Sequence, residues 1–236
     1  MSSDIKKVKD WYDHEYAHNP HRFIRKWQSY NRFIDPIEPE RGKRLLDVAC
    51  GTAGLLKAAE EKGLIPFGLD ISIEGIALAV RYSGCRQLVV AAGEHLPYRD
   101  ETFDYVTNIG SLEHFQDPHA GLAEMVRVLK QKGKICVVLP NSFGRFGKLI
   151  GYAGTGQILE RIATLREWKS FLENGQLKVI SVHRDLGPSI LHDIKVNKIL
   201  LRLAAKLLLP LLPTSCSYQF IFICQKGNHV RHRGHT

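Results

Sequence analysis

The sequence predicts an α/β fold with a parallel sheet, and three observations lead to that prediction. Short apolar segments alternate with segments of helical pattern between residues 44 and 140, which is typical of strand–helix–strand units with right-handed crossovers. The first apolar segment, 44–48, runs directly into a glycine-bearing turn. The second, 64–69, ends at the acidic residue Asp70. This order of strand, glycine turn, helix, strand and acid is the layout of a nucleotide-type site.

Length and composition favour one domain with a buried core. The chain has 236 residues, of which 44% are hydrophobic and 24% are charged. That is enough for one full α/β domain and too little for two ordinary ones. The formal net charge of +9 suits an anionic partner such as nucleic acid, a membrane surface or an acidic substrate. The alternative is a basic tail without such a partner, because part of the excess lies in 228–236.

Cysteine usage and hydropathy favour a cytoplasmic protein. The five cysteines are odd in number and fit no zinc-binding spacing, so we expect reduced core residues and no metal site. No apolar run follows the basic N-terminal residues, which predicts the absence of a signal peptide. No stretch of about 20 uncharged apolar residues occurs, so no segment is expected to span a bilayer.

The remaining elements follow in chain order. Aromatic residues at helical spacing in 4–34, interrupted at Asn19 and Pro20, predict two short helices, and the prolines of 35–39 predict a connector without regular structure. Ser72 is the expected N-cap of the helix that follows the second strand. The predicted strands are 44–48, 64–69, 87–92, 103–108, 134–139, 177–182 and 218–224. The predicted helices of the sheet region are 55–62, 73–82, 118–130, 164–174 and 194–209.

The residues around the turn indicate an adenosine-like ligand. Gly51 lets a ligand approach the backbone where a side chain would block it. Amides at the start of the following helix favour an anionic group. Asp70 is placed to accept hydrogen bonds from the two vicinal hydroxyls of a ribose, and its charge would repel a 2′-phosphate.

Five segments together resemble the class I S-adenosylmethionine-dependent methyltransferases, and more narrowly their small-molecule branch of quinone-, lipid- and sugar-tailoring enzymes. The segments are 45–52, 68–70, 94–98 with 103–104, 112–114, and 124–130. The resemblance implies a Rossmann-like sheet of seven strands, six parallel and an antiparallel strand seven, with helices on both faces. It also implies S-adenosylmethionine as the cofactor, and the apolar element at 218–224 fits the seventh strand.

The resemblance implies roles for individual residues in binding the methionine part of the cofactor. Asp47 would orient the turn and reach the methionine amino group, and Gly51 would lie against the methionine part, with Ala49 in the same turn. Asn108 would offer its backbone carbonyl to the ligand's ammonium group. An N-terminal helix would close over the cofactor, so that the hydroxyl of Tyr12 reaches the methionine carboxylate. The alternative for that helix is an aromatic stripe that packs on the core.

The adenosine part has its own implied contacts. Asp70 would hold the ribose hydroxyls and Ile71 would pack on the adenine face. Gly93 and Glu94 would wrap the adenine edge. The family often has an acid at the position of Ala92, so this contact is missing here unless Glu94 or a backbone group replaces it. The family also usually has glycine at the positions of two further alanines of the turn, Ala49 and Ala53.

His114 is the candidate general base for an acceptor that reacts through a hydroxyl group. It follows the fourth predicted strand and faces the cleft in the family pattern. The alternative is that the pair Glu113 and His114 caps the loop and packs under the site. The transferred methyl is already activated in this chemistry, so the protein mainly positions the acceptor and excludes water.

Two segments are expected to build the acceptor pocket, 140–147 and the insertion 194–213. The insertion is strongly apolar and carries a basic stripe on one helical face, made by Lys195, Lys198, Arg202 and Lys206. Such a helix suits docking at a membrane interface, a lid over an apolar acceptor, a dimer contact, or a plain cover of the sheet. The oligomeric state is left open.

The sequence therefore predicts one methyltransferase domain, 1–236. Its parts are a helical lid (1–40), a cofactor-binding core (41–140), an acceptor-side region (141–227) and a disordered basic tail (228–236). The predicted activity is methylation of a small, lipid-like or quinone-like acceptor in the cytoplasm or at a membrane surface. A nucleic-acid methyltransferase is the alternative that the net charge supports, but 108–111 lacks the Asn/Asp-Pro-Pro-aromatic motif of base-amino methylators, so no nucleic acid is expected. A protein that binds the cofactor without catalysis is the second alternative.

Overall fold

The computed structural model describes residues 3–143, 157–185 and 213–227. Within them, seven strands form one sheet in the order β3-β2-β1-β4-β5-β7-β6. The strands are β1 (Arg44–Val48), β2 (Ile65–Asp70), β3 (Leu88–Val90), β4 (Phe103–Ile109), β5 (Leu129–Pro140), β6 (Leu177–Asp185) and β7 (Gln219–Lys226). The helices are α1 (Ser3–His18), α2 (Asn31–Ile34), α3 (Gly54–Glu61), α4 (Ile73–Ser83), α5 (Pro118–Val128) and α6 (Leu165–Asn174).

The pairing of the strands confirms the predicted fold class. Strands β1 to β5 pair in parallel, and β7 lies antiparallel between β5 and β6. The strand order reverses at β1, which has β2 on one side and β4 on the other. In an open sheet of this kind, a crevice forms beyond the carboxyl ends of the strands at the reversal point. The ends of β1, β2 and β4 therefore define where a ligand site is expected.

Local capping explains why the helices begin where they do. The Ser72 hydroxyl accepts a hydrogen bond from the amide of Gly75, which confirms Ser72 as the N-cap of α4. Thr164 and Glu167 form a reciprocal capping box at the start of α6. Each cap satisfies amides that the first helical turn leaves without intrahelical partners.

The boundary between α5 and β5 differs from the prediction. The helix ends at Val128 instead of Lys130, and β5 begins at Leu129, which pairs with Phe103 of β4. Lys132 and Gly133, which lie between the predicted helix 118–130 and the predicted strand 134–139, instead belong to β5. Lys132 has φ of 62°, and a Cβ on Gly133 would lie 2.9 Å from a backbone oxygen of β4. The glycine thus permits a strand irregularity that resembles a helix stop in the sequence.

The N-terminal region also differs in part from the prediction. Helix α1 is followed by 3₁₀ turns at Pro20–Arg22 and Trp27–Tyr30 and then by α2. The expectation of no regular element across 35–39 was wrong, because Asp35–Ile37 forms another 3₁₀ turn with its proline in the first turn. Proline is tolerated there because its missing N–H has no partner to lose.

Two clusters of buried side chains pack on the two faces of the sheet. Of the cysteines that the structure describes as free thiols, Cys50, Cys136 and Cys224 are buried and Cys85 is partly buried. The predicted helix 194–209, residues 144–147 of the predicted acceptor segment 140–147, and the tail 228–236 lie outside the described residues. Among the helices that are described, none is long and apolar enough to cross a membrane.

Candidate functional site

The turn after β1 has an alternating left-handed backbone. Ala49, Gly51 and Ala53 have φ values of 62°, 51° and 58°. Only glycine adopts this region without steric cost, and an L-residue there loses about 1–2 kcal/mol. The two alanines that depart from the family's glycines therefore occupy the positions where the backbone itself favours glycine.

Asp70 fixes this turn from the end of β2. One carboxylate oxygen accepts the amide of Gly51 at 2.9 Å, and the other accepts the amide of Ser72 at 2.9 Å. Burial raises the pKa of this carboxyl to about 6, although both hydrogen bonds act in the opposite direction. Asp70 thus joins the turn after β1 to the start of α4.

Asp47 and Asn108 anchor the ends of β1 and β4. Asp47 accepts a hydrogen bond of 2.7 Å from the hydroxyl of Thr107, and burial raises its pKa to about 7. The Asn108 side chain is fully buried, where it donates to the carbonyl of Val48 and accepts the amide of Leu112. The carboxyl of Asp47 is therefore held at the carboxyl edge of the sheet.

Helix α1 lies across this edge. Its Asp13 accepts a hydrogen bond of 2.5 Å from the Ser72 hydroxyl and also pairs with Lys9. Its Tyr16 is buried, and the ring lies so close to α4 that a Cβ on Gly75 would be 2.9 Å from it. The helix is thus fastened to α4 at two points.

Below α1 the cleft has two compartments, which we call the apolar and the polar compartment. The apolar compartment has a volume of about 40 Å³ and is closed on one side by Ile5 and Val8 of α1. The polar compartment is larger, about 340 Å³, and has more polar than apolar lining. Its acidic and phenolic lining groups are Tyr12, Tyr16, Tyr30, Asp47, Glu113, Glu160 and Asp185. Ala49 lies in the wall of both compartments.

The structure brings the predicted site residues to one edge but divides them between the compartments. Ile71, Gly93, Glu94 and His114 line the apolar compartment. Tyr12 and Asp47 line the polar one. Gly51 has a different neighbour from the one expected of a ligand site, because the hydroxyl of Tyr16 lies against it. These placements do not test the ligand contacts predicted for Asp70 or for the backbone carbonyl of Asn108.

His114 has a defined tautomer. Its Nδ1 donates to the carbonyl of Ile158 at 2.8 Å, which leaves Nε2 as the acceptor of the neutral ring. Burial lowers the pKa of His114 and so favours this neutral form. The ring lies in the wall of the apolar compartment, together with Gly93 and Glu94.

Glu94 places an acid beside the position where Ala92 lacks one. It is buried, lines the apolar compartment, and accepts the amide of Gln116 at 2.9 Å. The carboxyl is therefore within the compartment that the adenine contacts would use.

Sequence reasoning missed Glu113 as a site residue. Its side chain is buried in the wall of the polar compartment, and burial raises its pKa to about 8. The sequence shows the residue only as a neighbour of His114. A signal was nevertheless present, since a glutamate in an otherwise buried turn at the end of a predicted central strand needs a reason to be there.

The shape and chemistry of the cleft fit the cofactor of the resembled family. An apolar compartment with one acid suits an aromatic base, and the buried carboxyl of Asp47 in the polar compartment suits a cationic amino-acid group. The two compartments meet at the turn after β1, at Ala49.

Comparison with known proteins gives an independent result. A family model described as a methyltransferase domain matches residues 46–137. The demethylmenaquinone methyltransferase of Bacillus subtilis is 34% identical over 194 residues, which cover 69% of this chain and 82% of the relative. The ubiquinone biosynthesis O-methyltransferase of Hahella chejuensis is 27% identical over 218 residues, which cover 84% of this chain and 86% of the relative.

Other matches are shorter. In demethylmenaquinone methyltransferases of Corynebacterium kroppenstedtii, Renibacterium salmoninarum and Bacillus mycoides, the chain spans about half the length of the relative, at 43%, 47% and 58%. The match to the Corynebacterium kroppenstedtii protein is 35% identical and covers 43% of this chain.

Solved structures share the fold. One chain of a complex between the Haloferax volcanii Trm112 methyltransferase activator and a methyltransferase superposes with a TM-score of 0.73 at 19% identity, over 95% of this chain and 100% of that one. Haemonchus contortus phosphoethanolamine N-methyltransferase 2, solved with S-adenosyl-L-methionine, gives 0.62 at 18% identity, over 86% of this chain and 53% of that one. At these identities the likeness concerns the fold alone. Together with the extent of the Bacillus subtilis match, the family model and the sheet topology show that this chain belongs to the class I S-adenosylmethionine-dependent methyltransferase family.

Proposed function

We propose that the chain transfers the methyl group of S-adenosylmethionine to a small, quinone-like acceptor. The observation that carries this proposal is the pair of buried acids Asp47 and Asp70 at the ends of adjacent strands, on either side of the left-handed turn. The names of the bacterial relatives, which are demethylmenaquinone methyltransferases, favour a quinone-like acceptor.

The polar compartment would hold the methionine part of the cofactor. Asp47 is the group proposed to accept its ammonium, since the buried carboxyl accepts the hydroxyl of Thr107 and forms no ion pair within the described residues. Tyr12 lines the same compartment and is proposed to contact the methionine carboxylate. Gly51 and the carbonyl of Asn108 are proposed to lie beside this part of the ligand.

The adenosine part would occupy the side of the apolar compartment. Each oxygen of Asp70 already accepts one amide, and a carboxylate has lone pairs for about four hydrogen bonds, so ribose hydroxyls can be added. Ile71 would pack on the adenine face, and Gly93 and Glu94 would meet its edge. When bound, the cofactor supplies a methyl group already activated on a sulfonium, so the protein's task is orientation and exclusion of water.

Helix α1 is proposed to act as the lid over the cofactor. A volume of about 40 Å³ holds only a few water molecules. Ile5 and Val8 must therefore withdraw before an aromatic base can enter. In this proposal, 1–40 is the lid of one domain, 41–140 is its cofactor-binding core and 141–227 is its acceptor side.

His114 is proposed as the general base for an acceptor that loses a hydroxyl proton. The proton would go to Nε2, because Nδ1 already carries the hydrogen that it donates to Ile158. Nε2 lies 3.9 Å from Oε1 of Glu113, which lines the polar compartment, so the acceptor hydroxyl is proposed to approach from that compartment.

Binding and turnover test the proposal separately. We expect S-adenosylmethionine to raise the melting temperature of the full chain, and Asp70→Asn to weaken its affinity by about tenfold, through loss of one charge-assisted contact. Asp10→Asn is the control, because Asp10 is an exposed acid of α1. Turnover is measured as S-adenosylhomocysteine formed with a reduced, short-chain 2-prenyl-1,4-naphthoquinone. The proposal would be contradicted if S-adenosylmethionine does not stabilise the chain. It would also be contradicted by stabilisation without methyl transfer to any acceptor, which is the behaviour of a non-catalytic binding protein.

The lining of the polar compartment argues against the nucleic-acid alternative. Asp47, Glu160 and Asp185 would repel a phosphate backbone. We propose instead that any attraction to anionic surfaces is peripheral and involves 194–213, with the protein in the cytoplasm or at a membrane surface. Cosedimentation with anionic lipid vesicles at low salt measures this attraction, and absence of binding there would remove the membrane part.

A further inference from the structure

One buried oxygen of the polar compartment has no hydrogen-bond partner. Glu113 is 2% exposed, and its Oε2 is unsatisfied within the part of the chain that the structure describes. Leaving a buried polar atom without a partner costs about 1–3 kcal/mol. Such an atom in the wall of a cavity is explained if a ligand completes its hydrogen bonding.

Backbone hydrogen bonds fix the turn that carries Glu113. Glu113 lies in the 3₁₀ turn Leu112–His114 after β4. Its backbone carbonyl accepts the amide of Arg161 at 3.1 Å and the guanidinium of the same residue at 3.3 Å. The turn is thereby clamped to the segment 157–161, and the side chain faces the polar compartment.

Within the described residues, this carboxyl forms no ion pair with a lysine or an arginine. Glu160 lines the same compartment, and its charge further raises the pKa of Glu113. The nearest ring nitrogen, Nε2 of His114, is 3.9 Å from Oε1, which is beyond hydrogen-bond distance. Arg22 and Arg25 also line the compartment, and Arg22 pairs with Glu15 of α1. The carboxyl is therefore held mainly in its neutral form, which both donates and accepts one hydrogen bond.

We propose that Glu113 binds the acceptor, and that its Oε2 forms a hydrogen bond with a ring oxygen of that molecule, either a phenolic hydroxyl or a quinone carbonyl. This inference rests on the proposed function, because it requires the acceptor to enter the polar compartment. It narrows the acceptor class to aromatic compounds that carry an oxygen on the ring. An acceptor with an ammonium group is the competing class, which an ionised Glu113 would bind.

The test compares three probes that differ in one group: 1-naphthol, 1-methoxynaphthalene and 1-naphthylmethylammonium. Their dissociation constants are measured by calorimetry on the full chain with saturating S-adenosylhomocysteine. We expect 1-naphthol to bind about tenfold more tightly than the methoxy compound, since the latter cannot donate a hydrogen bond and is bulkier at the oxygen. In Glu113→Gln, the ratio of the two dissociation constants should stay within about threefold of the wild-type ratio, because an amide is neutral and still forms hydrogen bonds. Glu113→Leu should abolish it.

Glu160→Leu is the matched control, because it removes another carboxyl from the same compartment. It should change the affinities of 1-naphthol and 1-methoxynaphthalene equally. A Glu113→Leu variant that keeps the preference would overturn the proposal. Equal affinities of the wild type for 1-naphthol and 1-methoxynaphthalene would also overturn it, and that measurement needs no substitution. If the ammonium probe binds more tightly than 1-naphthol and Glu113→Gln removes this difference, the carboxyl of Glu113 is assigned to an amine acceptor instead.

The outcome is separable from that of the proposed function. Cofactor affinity is measured on the same preparations and should be equal in the wild type and in Glu113→Gln. If the wild type transfers methyl groups while the probe preference does not depend on Glu113, only this inference fails. If the wild type transfers none to any acceptor, the proposed function fails first.

Discussion

The hydroxyl of Tyr16 lies against the backbone of Gly51, so that a Cβ at that glycine would be 2.8 Å from the phenol oxygen. The tyrosine comes from α1, and the glycine comes from the turn after β1. The ring of Tyr16 also packs against the ring of Phe23 at a tilt of 44°, with the centroids 4.3 Å apart. The glycine is therefore required both by its left-handed backbone and by a side chain of the same protein.

Substitution of this glycine tests both requirements. We expect Gly51→Ala to lower the free energy of unfolding by about 1–2 kcal/mol from the left-handed φ alone, and further through the contact with Tyr16. Chemical denaturation measures the change. Tyr16→Phe removes the clashing oxygen, so the double variant should recover the part due to the contact. If the free-energy changes of the two single variants add up to that of the double variant, the contact with the hydroxyl does not contribute to the loss of stability.

Replacing one left-handed alanine should stabilise the protein. Ala49→Gly relieves a φ of 62° at a half-buried position, and we expect a gain of about 0.5–1 kcal/mol in the free energy of unfolding. Ala53→Gly is the matched comparison, since its φ of 58° is similar but its methyl is fully buried. Loss of that methyl costs about 0.8 kcal/mol, so this variant should be nearly neutral. Equal effects of the two variants would contradict the cost assigned to the buried methyl of Ala53, and a loss of stability in Ala49→Gly would contradict the strain assigned to its backbone.

Stability should fall as pH rises through neutrality. Burial raises the pKa of Asp47 from its ordinary 3.8 to about 7. The folded state therefore binds more protons than the unfolded state between these values, and its stabilising contribution, fully present below about pH 4, is lost as pH passes about 7. Asp47→Asn should remove about 1 kcal/mol or more of this decline.

The measurement is the free energy of unfolding of the ligand-free protein from pH 5 to pH 8.5. The Asn variant can still accept the hydrogen bond from Thr107, so the hydrogen-bond pattern is matched. A wild-type curve that rises over this range would contradict the raised pKa. Parallel curves of the wild type and of Asp47→Asn would also contradict it.

The contact between Asp13 and Ser72 should control how firmly α1 is docked. We expect Asp13→Ala to speed amide hydrogen exchange in α1 while leaving the exchange of β4 and β5 unchanged, because the contact joins α1 to α4 only. Ser72→Ala would also remove the N-cap of α4 and is less selective. Asp10→Ala, an exposed acid on the same helix, is the control and should leave exchange unchanged. Equal exchange of α1 in Asp13→Ala and the wild type would exclude this contact as its fastening.

The sheet could be predicted because its signals are local. The apolar run 44–48 and the cap at Ser72 each specify an element through a few neighbouring residues, and both elements formed as expected. The start of β5 was misplaced because Lys132 and Gly133 resemble a helix end. Only pairing with β4, which is a distant contact in the sequence, shows that they belong to a strand.

The site could be predicted only as far as its residues adjoin the strand ends. Asp47 and Asp70 follow from the topology, since both end neighbouring parallel strands. The approach of Tyr16 to Gly51 and the unsatisfied oxygen of Glu113 could not be derived in this way. Both depend on segments that are far apart in the sequence and meet only after α1 and the 157–161 segment have packed onto the edge.

The position of β7 has a consequence for synthesis of the protein. In the described sheet, β6 is paired with β7, and β7 also covers one edge of β5. A ribosome releases β7 last of these strands, so until then β5 lacks the partner on that side and β6 has none. Unpaired strand edges promote association between chains. Nascent chains that stall before residue 219 should therefore be the form of this protein most dependent on chaperones.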